Sequence, residues 1–242
     1  MIGIKSFSAY VPFFRLNRSE LARAWKGGTI GGEKAVANYD EDSLTMAAEA
    51  GQGCLKALES ADIGGLFFAS TTPPYSEKSS SSILASVLDL KNEVLTMDVT
   101  DSLRGGTSAL FLAMNGVNQG TMKEALIVSA DCRLGTASSE FEQMFGDASA
   151  ALLIGTSNLL ATFEGTYTLT DPFMDAWRKG SQSFVNTWED RFAKLYGFSR
   201  VMEEGLRTML KKFELTPADF AKVIIPAPDA RTHQDVIKRF GF

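Results

Sequence analysis

The stretch Val94–Met114 contains the residues best placed for covalent chemistry. An apolar run, Val94–Val99, leads into a polar turn, after which the pair Gly105-Gly106 opens an apolar helical segment. A strand that passes into a helix through small residues presents a turn side chain at the helix N-terminus, where unpaired N–H groups and the helix dipole stabilise an anion or a thiolate. Such a turn suits an acyl-transfer nucleophile, usually a cysteine. The residue in the middle of this turn is Leu103, so the expected nucleophile is absent.

Two other side chains near this turn could attack a carbonyl. Ser102 adjoins Leu103, but no base is evident to activate it, and its alternative role is to cap a helix predicted at Ser108–Met114. Cys132 follows a predicted strand and is either a reactive thiol or a small buried hydrophobe. The second cysteine, Cys54, lies on the apolar face of a predicted helix and is assigned to packing. Two cysteines at this spacing form no disulfide framework or metal site.

Acid–base and substrate-binding candidates are few. The phenols of Tyr196 and Tyr75 are alternatives to structural tyrosines, and His233, the only histidine, is assigned to a surface or capping role. Arg104 could bind a substrate carboxylate or form an ion pair with Asp101 across the turn.

The elements that must position these residues alternate between strands and helices, which indicates an α/β fold with a largely parallel sheet. Continuous apolar runs predict strands that are covered on both faces, and apolar residues at helical spacing predict buried helix faces. The predicted strands are Ile2–Val11, Gly64–Ser70, Val94–Val99, Ala125–Ala130, Ala148–Gly155 and Val223–Ile225. The predicted helices include one capped by Asn17 that ends at Trp25, Ser43–Ser60, Asp171–Trp177, a long region within Phe184–Phe213, and Thr232–Phe240. Leu160–Thr170 is interpreted as the opening of a second round of strands and helices.

Composition narrows the range of partners. The 242 residues carry a net charge of −5 and contain no basic run, which argues against nucleic acid and against a polybasic membrane anchor. The apolar stretches are too short to span a membrane, and the N-terminus lacks the pattern of a signal peptide. We therefore expect a cytoplasmic protein.

Several strings occur in the order found in one known family. The chain resembles the 3-hydroxy-3-methylglutaryl-CoA synthase branch of the thiolase superfamily, in its bacterial and archaeal form. The strings that carry the resemblance are Asp40–Ala47, Ser102–Thr107, Phe145–Ala151, Asp171–Arg178 and Trp188–Tyr196.

The resemblance implies a thiolase-like fold of two similar βαβαβ-type halves in an α/β/α/β/α arrangement, each with a five-stranded mixed sheet. We place the N-terminal half at residues 1–157 and a partial C-terminal half, shortened at its end, at residues 158–242. The resemblance also implies a coenzyme A thioester as ligand or substrate, no covalently bound cofactor and no metal. It further implies a homo- or hetero-oligomer that includes a thiolase-like or zinc-ribbon/OB-fold protein, and an incomplete second sheet predicts a partner chain.

The same resemblance implies that the catalytic side chains are replaced. The family's nucleophilic cysteine falls on Leu103, its general-base glutamate on Thr71 or Thr72, and its histidine on Pro226. Acyl transfer by this route needs a thiolate, a proton-transfer group and an oxyanion donor together. Substrate binding is left to Arg104, Gly105, Gly106 and Asp229.

Three functions remain open. The first is a non-acylating enzyme, such as a carbon–carbon lyase that acts on a CoA thioester within an acyl-CoA-processing complex. The second is a non-catalytic scaffold subunit, in which side chains such as Leu103 and Phe145 would fill the pocket. The third is an active synthase that uses Cys132 as its nucleophile. An enzyme should keep a pocket bordered by Leu103, Cys132 and Pro226.

Overall fold

The computed structural model describes residues 1–56, 58 and 61–242, which form two compact units, Met1–Phe163 and Glu164–Phe242. The elements of the first unit are β1 (Gly3–Tyr10), β2 (Phe14–Asn17), α1 (Arg18–Trp25), β3 (Glu33–Val36), α2 (Ser43–Lys56), β4 (Ile63–Ala69), α3 (Ser80–Val87), β5 (Leu95–Val99), α4 (Gly105–Asn118), β6 (Glu124–Asp131), β7 (Leu134–Gly135), α5 (Glu140–Met144), β8 (Ala148–Gly155) and β9 (Ala161–Thr162).

A mixed sheet with the order β5-β4-β6-β8-β1-β9 forms the centre of the first unit. Strands β5, β4 and β6 are parallel, whereas β8 runs antiparallel to both β6 and β1. The first five strands of this order are the mixed five-stranded sheet that the resemblance implies. The two-residue strand β9 adds an edge.

Helices cover both faces of this sheet, which explains why its central strands are almost entirely apolar. On one face, Phe68 and Val128 pack with α2 and α3, and on the other face Phe67 and Ile127 pack with α4. Alternate residues of each strand therefore point to opposite helices, as strand geometry requires.

Several predicted boundaries differ from the observed ones. Helix α2 begins at Ser43 as predicted, but its predicted last residues, Ala57, Glu59 and Ser60, lie outside the described residues. The interpretation of Leu160–Thr170 as the opening of a second round is wrong at its start, because Ala161–Thr162 pairs with β1.

The second unit contains β10 (Ala176–Trp177), β11 (Phe184–Thr187), α6 (Asp190–Phe192), a π-helix (Ala193–Ser199), α7 (Arg200–Phe213), a 3-10 turn (Pro217–Asp219) and α8 (Ala230–Phe240). Strands β10 and β11 pair antiparallel. The prediction of a helix at Asp171–Trp177 is wrong, because the Asp171 carboxylate accepts from Phe173 N at 2.9 Å in a turn and Ala176 pairs with Thr187.

Two further predictions in the second unit need correction. Phe184–Thr187 is a strand and not the beginning of the long helical region, which starts at Asp190. Residues 223–225 form no strand, because no described residue pairs with them in a ladder, and a strand requires such a neighbour. The C-terminal helix is confirmed, although it begins two residues earlier than predicted, at Ala230.

Candidate functional site

A cavity of about 330 Å³ lies in the first unit, between the carboxyl ends of the parallel strands and the first turns of α4. Its sheet side follows from the strand register, because Ser129 pairs with Ala69 on one side and with Ala150 on the other. The carboxyl ends of parallel strands are where ligands bind in open α/β sheets. Its lining consists of Ala69, Ser70, Ser102, Leu103, Gly105, Gly106, Thr107, Leu110, Ile127, Ser129, Asp131, Ala150 and Leu152.

Leu103 lines this cavity from the turn before α4, at the position predicted for a nucleophile. The residue is 57% exposed, so it forms part of the wall without filling the space. A hydrocarbon side chain cannot form a thioester. The structure therefore places a chemically inert residue where the helix N-terminus would stabilise a thiolate.

Ser102 also lines the cavity, but it does not cap the helix as predicted. Helix α4 begins at Gly105 and not at Ser108, and its N-cap residue, Arg104, makes no side-chain capping bond. The Ser102 hydroxyl instead accepts from Arg104 N at 3.1 Å, and the Ser102 carbonyl accepts from Gly105 N at 2.9 Å. These bonds stabilise the turn that comes before the helix.

The glycine pair is explained by close packing of α4 on the sheet. A Cβ atom at Gly105 would lie 3.0 Å from the Val99 carbonyl oxygen, and one at Gly106 would lie 2.9 Å from the Ser129 hydroxyl oxygen. Both glycines line the cavity. The first contact is with backbone, which cannot rotate away, so the approach of α4 to β5 requires glycine at position 105.

Arg104 and Asp101 are both exposed, and the described part of the chain contains no ion pair between them. Asp101 has a φ of +64°, in the left-handed region. Arg104 is not among the residues that line the cavity. Binding of a substrate carboxylate by Arg104 stays a prediction.

The loop after β4 binds a carboxylate at the end of β6, and sequence reasoning missed this carboxylate. Asp131 Oδ1 accepts hydrogen bonds from Thr71 N at 2.8 Å, from Thr71 Oγ1 at 3.0 Å and from Thr72 Oγ1 at 2.9 Å. The Ser70 hydroxyl donates to the same oxygen at 3.2 Å. The two threonines at the predicted general-base position therefore hold Asp131 in place. A polar residue that ends an apolar strand was the available signal.

Cys132 follows Asp131 but does not line the cavity. Burial, together with the nearby carboxylates of Asp147, Asp42 and Asp131, raises the pKa of the Cys132 thiol to about 12. Its backbone N–H donates to Thr72 Oγ1 at 2.9 Å. The thiol is therefore protonated at neutral pH, which makes it a poor nucleophile.

The remaining candidates belong to the second unit. Tyr196 lies on the π-helix, is 53% exposed and packs against the Phe192 ring at 5.1 Å. Asp229 is the N-cap of α8: its carboxylate accepts from Thr232 N at 2.7 Å and pairs with Lys194 at 2.8 Å. Pro226 lies in the irregular segment before this helix.

The backbone N–H of His233 donates to the Asp229 carbonyl in the first turn of α8. The second tyrosine candidate, Tyr75, lies in the loop after β4 in the first unit and is 51% exposed.

The described residues also bear on two other kinds of site. Among these residues, no group of three or more His, Cys, Asp or Glu side chains is arranged to hold a metal ion. None of the helices they form combines the length and the apolar character needed to cross a bilayer.

The sequence and the fold of this chain are similar to those of known proteins. The hydroxymethylglutaryl-CoA synthase of Methanocaldococcus jannaschii is 30% identical over the whole chain and 72% of its own length. A crystal structure of HMG-CoA synthase complexed with CoA superposes with a TM-score of 0.89 at 18% identity, covering 99% of this chain and 63% of the other. Xanthomonas campestris OleA with bound lauric acid and lauroyl-CoA gives a TM-score of 0.86 at 15% identity, over 99% and 82% of the two chains.

No family model matches the chain. The chain spans 63% of the length of the CoA-bound synthase structure, which is less than two thirds. The structural likenesses establish a thiolase-like fold. Identity and coverage against the Methanocaldococcus protein establish that this chain belongs to the hydroxymethylglutaryl-CoA synthase family.

Proposed function

We propose that this chain is a hydroxymethylglutaryl-CoA synthase-like subunit of an acyl-CoA-processing complex, and that it binds an acyl-CoA thioester without becoming acylated. The observation that carries this proposal is the cavity beside α4, which stays open while Leu103 occupies the nucleophile position. A volume of about 330 Å³ lies within the range of small-molecule sites, about 300–1,000 Å³.

The side chains at the site support the absence of covalent catalysis. Covalent acyl transfer requires a thiolate or an activated hydroxyl, and a neighbouring base. Leu103 supplies neither group, and the raised pKa of Cys132, about 12, keeps that thiol protonated. The lining of the cavity includes neither cysteine nor either of the two threonines, Thr71 and Thr72, whose hydroxyls donate to Asp131.

Retention of an acyl-CoA ligand is supported by the walls of the cavity. The Phe145 ring stacks on Phe141 with centroids 4.7 Å apart, and the Arg133 guanidinium lies 4.4 Å from its centroid, so Phe145 is occupied by other contacts. Phe145 is not among the lining residues, and the exposed Leu103 forms part of the wall. In a scaffold with a filled pocket, the side chains of Phe145 and Leu103 would instead occupy this space. HMG-CoA synthase and OleA have been crystallised with CoA and with lauroyl-CoA, which supports the same ligand class here.

The reaction that fits such a site is cleavage or formation of a carbon–carbon bond next to the thioester. A retro-aldol step needs a proton acceptor and stabilisation of an enolate, but no acyl-enzyme. We propose the lyase as the activity of the complex, with a thiolase-like or zinc-ribbon/OB-fold protein as partner and the cytoplasm as its compartment.

An exposed apolar surface supports a second candidate, the non-catalytic subunit. Leu95 and Met97 on edge strand β5 are 48% and 40% exposed, and Phe111 on α4 is 52% exposed. Asp98, the residue between Val99 and Met97, bonds to the N-terminus of α3, so Leu95 and Met97 project to the α4 side of the sheet. Exposed apolar groups beside an unpaired strand edge favour subunit contact.

The test uses the full chain and its complex, purified from the source cell and incubated with an acyl-CoA labelled in the acyl group. The proposal expects reversible binding and no label on this chain after denaturation. A covalent label on this chain would contradict it. Release of cleavage products without a label supports the lyase, whereas a label on a companion subunit supports the scaffold. The Cys132→Ser variant is the matched control, because it should bind and react as the wild type does.

A further inference from the structure

One hydroxyl on the sheet side of the cavity is not used by the fold. Ser129 lies on β6 among the lining residues, and no described residue forms a hydrogen bond with its hydroxyl. In the described part of the chain, the buried side-chain polar atom that lacks a partner is Ser80 Oγ. The Ser129 oxygen is therefore without a described partner and is accessible.

Strand geometry directs this hydroxyl towards α4 and the cavity. Ile127, two residues earlier on β6, packs in the cluster that includes α4, and alternate residues of a strand share one face. A Cβ atom on Gly106, in the first turn of α4, would lie 2.9 Å from Ser129 Oγ. The strand neighbours of Ser129 are Ala69 and Ala150, which offer the hydroxyl no side-chain partner. The accessible side of the hydroxyl therefore faces the cavity.

Most other polar side chains of the lining already use their protons. The Ser70 hydroxyl donates to Asp131, whose carboxylate can only accept. The Thr107 hydroxyl donates to the Arg104 carbonyl oxygen at 3.0 Å. Ser102 Oγ accepts from Arg104 N, and its proton has no described acceptor. The lining thus leaves two hydroxyl protons uncommitted among the described residues, one on the sheet and one on the turn.

A thioester carbonyl oxygen is the ligand group that matches such a donor. It accepts hydrogen bonds and cannot donate, and an unpaired carbonyl is costly against a wall that is mostly apolar. The lining contains no lysine, arginine or histidine, which disfavours the phosphates of CoA at this place.

We propose that the Ser129 hydroxyl donates a hydrogen bond to the carbonyl oxygen of a bound acyl-CoA thioester and so orients the acyl group. This inference rests on the proposed function, since it assumes that the thioester enters the cavity. It concerns an atom that every acyl-CoA carries, so it holds for any acyl chain that the cavity accepts.

The experiment compares butyryl-CoA with its thioether analogue, S-butyl-CoA, by equilibrium binding to the full chain. The two ligands have the same chain length and differ in one group, a carbonyl in the first and a methylene in the second. The quantity measured is the ratio of the two affinities. Differences in hydration between the free ligands are the same for every variant, so a change in this ratio reports a contact with the carbonyl.

The diagnostic variant is Ser129→Ala. We expect it to weaken the binding of butyryl-CoA by about three- to tenfold, the loss of one hydrogen bond between neutral groups, and to change the binding of S-butyl-CoA by less than about twofold. Ser86→Ala is the matched control, since Ser86 is an exposed residue of α3, which packs on the opposite face of the sheet. It should leave both affinities unchanged, and thermal unfolding will establish that the variants are folded.

Infrared spectroscopy of the wild type keeps the inference testable if Ser129→Ala does not fold. Butyryl-CoA labelled at the carbonyl carbon with a heavy isotope gives a carbonyl band that is separate from those of the protein. A hydrogen bond lowers the frequency of this band. We expect the bound ligand to absorb below the frequency of an identically labelled thioester in hexane, and the band to move upwards in Ser129→Ala. A bound band at the hexane frequency would overturn the inference.

The binding data distinguish failure of this inference from failure of the proposed function. Equal losses of affinity for both ligands in Ser129→Ala would show that the hydroxyl acts through packing or contacts another part of CoA, and would overturn the inference. An unchanged affinity ratio in Ser129→Ala would also overturn it, and a lowered ratio in Ser102→Ala would then place the donor on the turn. The proposed function would stand in each case, because butyryl-CoA binds. Failure of butyryl-CoA to bind the wild type would overturn both.

Discussion

Alkylation of Cys132 provides a sharp test of whether this chain can use its own sulfur. A free cysteine with a pKa of about 8.5 is roughly one quarter thiolate at pH 8, whereas a pKa of about 12 leaves roughly one part in 10⁴. The more basic thiolate is intrinsically more nucleophilic, which recovers a factor of about 25 to 55. Together these terms predict alkylation of Cys132 that is about 50- to 100-fold slower than that of a free thiol, before any steric protection.

The assay is peptide-resolved mass spectrometry of the folded chain during treatment with iodoacetamide at pH 8, with a cysteine peptide as reference. Asp147→Asn should accelerate the reaction by about three- to tenfold, because Asp147 is the carboxylate that raises the pKa of Cys132 most. Burial contributes more than any charge, so this variant should still react more slowly than the peptide. Asp62→Asn is the matched control: it removes a carboxylate that pairs with Lys91 and Lys123, and it should leave the alkylation rate of Cys132 unchanged. Alkylation of wild-type Cys132 at the rate of the peptide would refute the reasoning.

Three further perturbations follow from the site and the second unit. Gly105→Ala should destabilise the chain by about 1–3 kcal/mol in urea unfolding, because its new Cβ meets the Val99 carbonyl, whereas Gly106→Ala meets a hydroxyl that can rotate and should cost less than about 1 kcal/mol. Leu103→Cys should give a thiol that is alkylated faster than Cys132, since the position is exposed, but mass spectrometry with labelled acyl-CoA should reveal no turnover. Burial opposes ionisation of Asp229, but its bonds to Lys194 and Thr232 outweigh burial and lower its pKa from 3.8 to about 2. A depressed pKa stabilises the fold above about pH 4, so the difference in thermal midpoint between wild type and Asp229→Asn should shrink as pH falls from 4 to 2.

The first unit could be predicted from sequence because its strands are covered on both faces. A strand such as β6 then appears as a continuous apolar run, and α2 as an apolar stripe that begins after a cluster of acidic residues. The glycine pair was also predictable, since a close helix–sheet contact leaves no room for a Cβ atom.

The second unit was predicted less well because its local patterns are ambiguous. Asp171 resembles a helix N-cap in sequence, but its carboxylate closes a turn and also pairs with Arg200. The short strands β10 and β11 place Trp177 against Trp188, with ring centroids 5.3 Å apart. No hydrophobic periodicity in the sequence predicts this contact. Pairing of distant residues decides these structures, and a single-sequence pattern does not contain it.

Asp131 was overlooked for a similar reason. The sequence places it after an apolar strand, but the residues that fix its carboxylate, Thr71 and Thr72, lie about 60 positions earlier. Only the parallel pairing of β4 with β6 brings the two strand ends together.

Keeping the glycine pair does not by itself favour catalysis over a scaffold role. Gly105 meets the Val99 carbonyl whether or not a nucleophile precedes it, so packing alone would preserve it in either kind of protein. A leucine at position 103 is equally neutral, because a lyase and a scaffold could both function without a thiol there. The two functions differ in what they require of the remaining space. A scaffold gains stability by filling the cavity with apolar side chains, whereas this chain keeps about 330 Å³ open beside a carboxylate whose Oδ2 has no described partner. Asp131 and Ser129 line this space, and a cavity with polar groups on its wall offers a ligand directional hydrogen bonds, which is the physical reason for assigning it to ligand binding.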